Sequence, residues 1–474
     1  MVFGVIWGLV ADPWSAIALL SLLIWTVLLC FWGRFWCGTE RLRGVALPSE
    51  RTNLGLVSRG LEGEASGSPE NQRDRTEPSV MVVIPARNEA EVIPETLRSI
   101  LSQRYDGRLR VVLVDDGSTD GTGNLARNLA ETLPGVTWVT LGAADNEGTG
   151  DRLDPDRAVT AVATAIECAV MSPPPLPQGW TGKLWALDRG IAAARSHWGD
   201  PDYIWLTDAD ICHPPDNLQR LVNHARDDRR ELVSLMVRLR CQSFWERLMV
   251  PAFIFFFQKL YPFPWVNDPN RAMAAAAGGC VLLQTAALDR IGGLGCVRQA
   301  LIDDCALALA VKHHPAQQAA IASTAASPSS PDRPPYHRIW LGLSDTTHSL
   351  RAYDTLSSLW EMVARTAYTQ LHYSPLLLIG TILGMVLVYL VPPCSAIGGM
   401  VWGIPSLAIV GGLTWGGMVV AYAPTLRSYE QPTMMGVFLP AIASIYLLAT
   451  IDSAWRHWRG RGGAWKGRTY AQHP

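Results

Sequence analysis

Charge is scarce in this chain. Asp, Glu, Lys and Arg make up 17% of the residues against 49% hydrophobic ones, which is apolar for a water-soluble enzyme. The charges nearly cancel, to a formal −2, so the basic excess of a general nucleic-acid binder is missing and no nucleic-acid partner is expected. Paired cysteines are missing too. The nine cysteines, at 30, 37, 168, 212, 241, 280, 296, 305 and 394, are scattered with no Cys-x-x-Cys, which weighs against a disulfide framework or a cysteine zinc site. They read as reduced core residues on a cytosolic face. No Lys or Arg precedes the first apolar run and no clear small-residue cleavage site follows it, which disfavours a cleavable signal peptide.

Long apolar runs are what the chain has instead. Residues 14–33 carry no charge and are long enough to cross a bilayer at about 1.5 Å per residue. Arg34, Arg41, Arg43 and Arg51 follow, whereas only Asp12 precedes, so the positive-inside rule places the amino terminus outside and the rest in the cytoplasm. This predicts a transmembrane signal anchor over 1–33, then a basic flank and flexible linker over 34–78, rich in Gly, Ser, Glu and Arg. A cytoplasmic domain is expected over 79–373, with a disordered surface insertion at 313–335. Leu376 to Val391, Ile397 to Tyr422 and Met434 to Ile451 are apolar again, giving a membrane region over 374–452 of two or three spans. Three crossings would leave the tail 453–474 outside, yet it carries Arg456, Arg459, Arg461, Lys466 and Arg468. One stretch is therefore expected to re-enter or to lie in the interface, the short first and the Gly- and Pro-bearing second being the candidates.

The chemistry concentrates between the apolar ends. Val80 to Ile84 is an unbroken apolar run ended by Pro85, suited to a strand buried on both faces. Helical spacing begins at Ala90, and a second buried strand, Leu109 to Val114, stops at Asp115 and Asp116. Strand, helix and strand in that order, with acids at the strand ends, suggest an open parallel sheet that binds a nucleotide at its carboxyl edge. Another short strand ends in Asp208-Ala-Asp210. Two acids spaced by one residue in an extended segment face one way, and their hard oxygens suit Mg²⁺ or Mn²⁺, which would neutralise a diphosphate. Lys183 opens a helical pattern, where it is either a phosphate contact or a surface lysine after a turn. Asp303 and Asp304 begin a further apolar helix, either as an acidic first turn or as a general base for an acceptor hydroxyl.

Taken in order, Pro85-Ala-Arg-Asn-Glu89, Val114-Asp-Asp-Gly-Ser-Thr-Asp-Gly121, Gly182-Lys183, Asp208-Ala-Asp210, Gly278-Gly279-Cys280 and Asp303-Asp304 resemble the family 2 glycosyltransferase pattern. Trp180 to Ala186, Ser234 to Arg247, Trp265-Val-Asn-Asp-Pro, Ala274 to Cys280 and Ala364 to Leu371 look most like the bacterial hopene-associated members. The resemblance implies a GT-A type α/β domain, a mostly parallel sheet with flanking helices. It also implies a nucleotide-sugar donor, UDP-linked, and inversion at the anomeric carbon. By position, Pro85, Arg87, Glu89, Asp115 and Asp116 would hold the nucleoside, with Lys183 and Asp208 near the donor. Asp208 and Asp210 would bind the metal, and Asp304 would be the base. The family more often has Glu-Asp where this chain has Asp303-Asp304, so the base is one of the two. Polymer-making members carry Gln-x-x-Arg-Trp after the catalytic domain; Arg365-Thr-Ala-Tyr-Thr369 lacks its Arg and Trp, which favours transfer of a single sugar.

The expected acceptor is a membrane lipid, hopanoid-like from the resemblance, at the inner membrane of a bacterium. The aromatic stretch Phe244 to Trp265 and the helical pattern Leu356 to Leu371 are candidate bilayer-facing segments, although the first also suits ordinary core. Polyprenyl phosphate or another lipid is an alternative acceptor. A catalytically silent nucleotide-sugar-binding scaffold is the alternative of a different class.

Overall fold

The computed structural model describes residues 13–42, 77–141, 166–314 and 336–461, and the backbone of two short strands at 464–465 and 468–469. Most of the expected linker, the insertion from 315 on and part of the basic tail lie outside the described residues. The strands are β1 (Val80–Ala86), β2 (Leu109–Asp115), β3 (Val136–Trp138), β4 (Ile166–Met171), β5 (Tyr203–Thr207), β6 (Ile211–Cys212), β7 (Leu232–Arg238), β8 (Cys280–Gln284) and β9 (Ile339–Ser349). The helices of the amino-terminal half are α1 (Pro13–Phe31), α2 (Ile93–Leu101), α3 (Thr122–Thr132), α4 (Gly182–Trp198), α5 (Asn217–Asp227), α6 (Phe244–Leu260) and α7 (Phe263–Asn267). The rest are α8 (Thr285–Arg290), α9 (Asp303–His313), α10 (Leu356–Gln370), α11 (Pro375–Met385), α12 (Val391–Val401), α13 (Pro405–Ser428) and α14 (Leu439–Trp458).

The nine strands form one mixed sheet in the order β3-β4-β2-β1-β5-β8-β7-β9-β6. β1 runs parallel to both β2 and β5, with Ala86 opposite Asp115, so the carboxyl ends of these strands share one edge. All seven residues of β1 are buried, as an apolar strand covered on both faces requires. β8 is antiparallel to β5, pairing Cys280 with Thr207, which brings the start of β8 to that same edge. β7 and β9 also end there, through the antiparallel pairing of β7 with β8 and the parallel pairing of β7 with β9. Six strand termini and their loops therefore converge at one rim.

Helix α2 begins at Ile93, three residues later than the spacing at Ala90 suggests. The delay has a cause: the Asn88 and Ala90 N–H groups are taken by Ser118 Oγ and Asp120 Oδ2, which holds this stretch as a loop. The chain after α1 is docked on the domain, with Phe35 buried against Phe255 and Arg41 bridging to Leu343.

Among the described residues, four helical segments are long and apolar enough to cross a membrane: Pro13–Phe31, Pro375–Val401, Pro405–Ser428 and Thr433–Trp458. Two of the apolar stretches are cut differently from the sequence reading. The first continues through a π-helical turn at Val386–Leu390 into α12, so it is not short. The second is broken at Trp402 to Ile404, where Gly403 takes φ +66° and Pro405 starts a new helix. The π turn has a physical origin. Pro392 has no N–H to give the Val388 carbonyl, and the Val391 N–H bonds Val386 O, leaving Leu387 O. Trp25 Nε1 donates to Val388 O and Ser21 Oγ to Leu387 O, each at 2.8 Å, which ties α1 to the break.

Candidate active site

At the convergent edge a cavity of about 570 Å³ opens. Pro85, Glu89, Lys183, Asp208, Asp210, Asp303 and Asp304 all line it. Seven of the residues singled out in the sequence are thus brought together. Arg87, Asp115 and Asp116 sit beside the cavity at the same rim. Arg87 Nη1 donates to Asp116 O, Asp116 N to Ala86 O at 2.9 Å, and Asp115 Oδ1 accepts from Ser118 N at 3.0 Å. The first two bonds cross-link the loops after β1 and β2, and the third folds the loop after β2 on itself.

The Asp208-Ala-Asp210 element lies in the turn after β5, not within the strand, so alternation along a strand is not what aligns its acids. Each is aimed by a different cation. Lys183, in the first turn of α4, reaches Asp208 Oδ1 at 2.9 Å and Asp303 Oδ2 at 3.2 Å. Arg351, just past β9, reaches Asp210 at 2.8 Å and Glu89 at 2.5 Å, and Ser349 Oγ donates to Asp210 Oδ2 at 3.3 Å. Burial alone would lower the Lys183 pKa, but the carboxylates of Asp208 and Asp303 beside it raise it, so the ammonium stays charged. Asp208 and Asp210 offer hard carboxylate oxygens on the cavity wall, a donor set that fits a hard divalent cation. In the protein described, the Lys183 ammonium and the Arg351 guanidinium supply positive charge at that place.

Asp304 has both carboxylate oxygens positioned by backbone. Oδ2 accepts from Gly278 N and Oδ1 from Cys305 N, each at 2.7 Å. Burial and the neighbouring Asp303 raise its pKa to about 6, against the pull of Lys183 and the two N–H groups. A β-carbon at Gly278 would lie 3.1 Å from Lys183 Nζ and 3.3 Å from Asp304 Oδ2, so a side chain there would crowd both.

Apolar side chains line the same cavity: Phe253 and Phe257 of α6, Met236, Leu239, and Met362 of α10. Arg365 and Glu361 of α10 and Arg456 near the end of α14 stand at its rim. The aromatic stretch from Phe244 is mostly core: Phe255 is fully buried, while Phe244 at 70% exposure is open. Sequence reasoning missed Arg351. A basic residue directly after a strand that ends at this edge was the available signal.

The cysteines correct the sequence reading in part. All nine are free, but only Cys168 and Cys280 are buried, and Cys30, Cys296 and Cys394 are exposed. Away from the cavity, Cys212 groups with Glu95 and His348, with donor atoms within 4.8 Å, close enough to hold a metal ion. His213 next to it is a neutral core residue: it bonds Thr207 Oγ1 and Asn217, and burial lowers its pKa to about 3.

Residues 81–146 match the family model described as glycosyl transferase family 2, and residues 170–334 that of glycosyl transferase family 21. The chain is 36% identical over 73 residues to 4,4'-diaponeurosporenoate glycosyltransferase of Staphylococcus haemolyticus, covering 15% of this chain and 17% of that protein. It is 40% identical over 63 residues to the probable glycosyltransferase YdaM of Bacillus subtilis, 13% and 15% of the two chains. The match to an N-acetylglucosaminyltransferase of Bradyrhizobium elkanii is 52% over 44 residues, 9% and 24%. The chain thus matches less than a quarter of the length of each of these relatives. Among solved structures it is similar to the mannosyltransferase PcManGT from Pyrobaculum calidifontis in complex with GDP-Man and Mn²⁺, at TM-score 0.40 and 18% identity, covering 79% and 86% of the two chains. The glucosyl-3-phosphoglycerate synthase of Mycobacterium tuberculosis gives TM-score 0.33 and 17% identity over 62% and 79%. The family matches support a family 2 glycosyltransferase.

Proposed function

We propose that this chain is a membrane-bound family 2 glycosyltransferase of GT-A type that transfers one sugar, with inversion, from a UDP-linked donor to a lipid hydroxyl. The observation that carries the reading is one cavity lined both by Lys183 and the acids of the sheet edge and by the apolar side chains of Phe253, Phe257, Leu239 and Met362. The cation-bearing residues suit a nucleotide diphosphate, and the apolar ones suit a lipid. The hopanoid-like character of that lipid rests on the family resemblance alone. A bacterial inner membrane, with the catalytic domain on the cytoplasmic side, is the location this reading implies.

In this mechanism Pro85, Arg87, Glu89, Asp115 and Asp116 hold the nucleoside at the rim. Asp208 and Asp210 would hold Mg²⁺ or Mn²⁺, which when bound neutralises the diphosphate leaving group. Asp304 takes the acceptor proton as the hydroxyl oxygen bonds to the anomeric carbon. The bond from that carbon to the diphosphate breaks, its electron pair leaves with the nucleotide, and the proton stays on Asp304. Asp303 instead holds Lys183, which assigns it a positioning role beside the base.

The deciding assay offers purified protein in detergent a panel of radiolabelled UDP-sugars and a bacterial lipid extract containing hopanoids. Labelled lipid that disappears with Asp208→Ala and with Asp304→Asn supports the reading. Retained turnover in Asp304→Asn excludes that residue as the base and moves the role to Asp303. Binding of UDP-sugars without product or nucleotide release would favour the silent scaffold.

A further inference from the structure

We infer that the last apolar helix, α14, does not cross the membrane: the described residues cross three times, and 429–458 enters from the side of the catalytic cavity and returns to it. The inference is independent of the sugar-transfer reading. Tyr373 immediately precedes the apolar region and His457 lies in its last turn, yet their rings stack at 4.5 Å with 23° between planes. Around them, Trp360 Nε1 donates to Asp452 at 2.7 Å, Arg456 reaches Glu361 at 2.6 Å, and Tyr368 N donates to Ser453 Oγ at 3.0 Å. Two residues in ring contact are on one side of a bilayer, so the segment between them crosses an even number of times. Its three long helices cannot all be spans.

The contacts of α13 identify the exception. Its carboxyl end returns to the sheet, where Leu239 N donates to Tyr429 Oη at 3.3 Å and Arg238 pairs with Glu430 at 2.9 Å. Its amino end is far away, because α12 and α13 pack side by side and antiparallel. A β-carbon at Gly411 would lie 2.3 Å from Ala396 N, and one at Gly399 would lie 2.3 Å from Ala408 N. The turn at Trp402 to Ile404 is thus the distal end of this hairpin. Ala18 of α1 packs there with Leu407 and Val410, while the other end of α1 is held to the domain by Trp32 Nε1 on Lys259 O at 2.9 Å. One crossing by α1 and two by the hairpin account for the passages among the described residues.

What remains, 429–458, starts and finishes on the domain side. Thr433–Phe438 doubles back along α13, with Trp415 Nε1 donating to Val437 O at 3.2 Å, and α14 returns from there to α10. The residues of α14 fit this course. Asp452 and Arg456 face α10 and pair at 2.8 Å, whereas a carboxylate deep in hydrocarbon would be costly. Leu448, Ile451, Trp455 and Trp458, three or four residues apart, form one exposed stripe, and tryptophan favours the membrane boundary. The helix end then presents Arg456, and Arg461 beyond it, to the cavity. Arg456, Arg459 and Arg461 then lie on the side that positive charge prefers, and neither of the two stretches suspected from the sequence is the one that fails to cross.

The test is side-specific labelling of the full chain in membranes with an impermeant maleimide, read site by site by peptide mass spectrometry. Native Cys296, exposed on the α/β domain, marks the catalytic side. Arg461→Cys reports the end of α14, and Trp402→Cys, at a position 67% exposed, reports the hairpin turn. Arg461→Cys should label from the same face as Cys296, and Trp402→Cys from the opposite one. Labelling of Arg461→Cys together with Trp402→Cys overturns the inference. Should either variant fail to insert, reporters fused after Pro474 of the unmodified chain decide. Green fluorescence supports the three-span arrangement, and alkaline phosphatase activity on the far side overturns it.

Discussion

Asp304 sits where an ordinary acid becomes a usable base. With its pKa at about 6, roughly a tenth is ionised at pH 5 and roughly nine-tenths at pH 7. A base must be deprotonated to act, so kcat/KM should climb about tenfold from pH 5 to pH 7 and level off above 7. A profile flat from pH 5 to 7 would remove Asp304 from the role. Gly278→Ala tests the same place sterically. Its β-carbon would press on Lys183 and Asp304 together, so we expect a drop of about tenfold in kcat. Because the neighbours need to shift only a few tenths of an ångström, the melting temperature should barely change. The acids were legible as residues at strand and helix ends. That Asp303 and Asp208 share one lysine was not, since the three lie on separate elements and meet only when the sheet closes.

At the scale of elements, α6 is secured by one buried carboxylate. Glu246 accepts from Gln242 N at 2.8 Å, Ser243 N at 2.9 Å and Tyr353 N at 2.8 Å, and pairs with Arg240 at 2.9 Å. Burial alone would raise its pKa, but these backbone donors and Arg240 lower it below the ordinary value. Its contribution is thus present above the usual carboxylate range and lost as pH falls through the depressed pKa. Glu246→Ala leaves three N–H groups and a guanidinium without this acceptor. It should cost about 3 kcal/mol, read as a lowered melting temperature in detergent. Glu246→Gln should cost less, because it keeps an acceptor oxygen. The Ser243-x-x-Glu246 capping box is a local pattern visible in sequence. The bond to Tyr353, which ties α6 to the approach to α10, spans 107 positions and is visible only in the fold.

For the molecule as a whole, the cavity is shared by the charged sheet edge and by Phe253 and Phe257 of α6, and the two sets of residues should be separable by mutation. Phe253→Ala should raise the KM for a lipid acceptor about tenfold, the loss of roughly 1.4 kcal/mol of apolar contact. The dissociation constant for the nucleotide sugar should stay unchanged. An equal effect on both ligands would mean that the apolar set is structural packing.

The sequence by itself determined the buried strands, the acids that end them, the order of the motifs and the apolar runs, because each depends on neighbours within a few residues. Tertiary structure decided which cation meets which acid. Arg351 lies 262 positions from Glu89 and 141 from Asp210, and the pairing of β9 with β7 and with β6, which sets Ile211 opposite Ser349, brings it to them. It also decided the course of the apolar helices. Hydropathy registers that a segment is long and apolar but not where its ends are anchored, and the stacking of Tyr373 on His457 is a contact that no local pattern encodes.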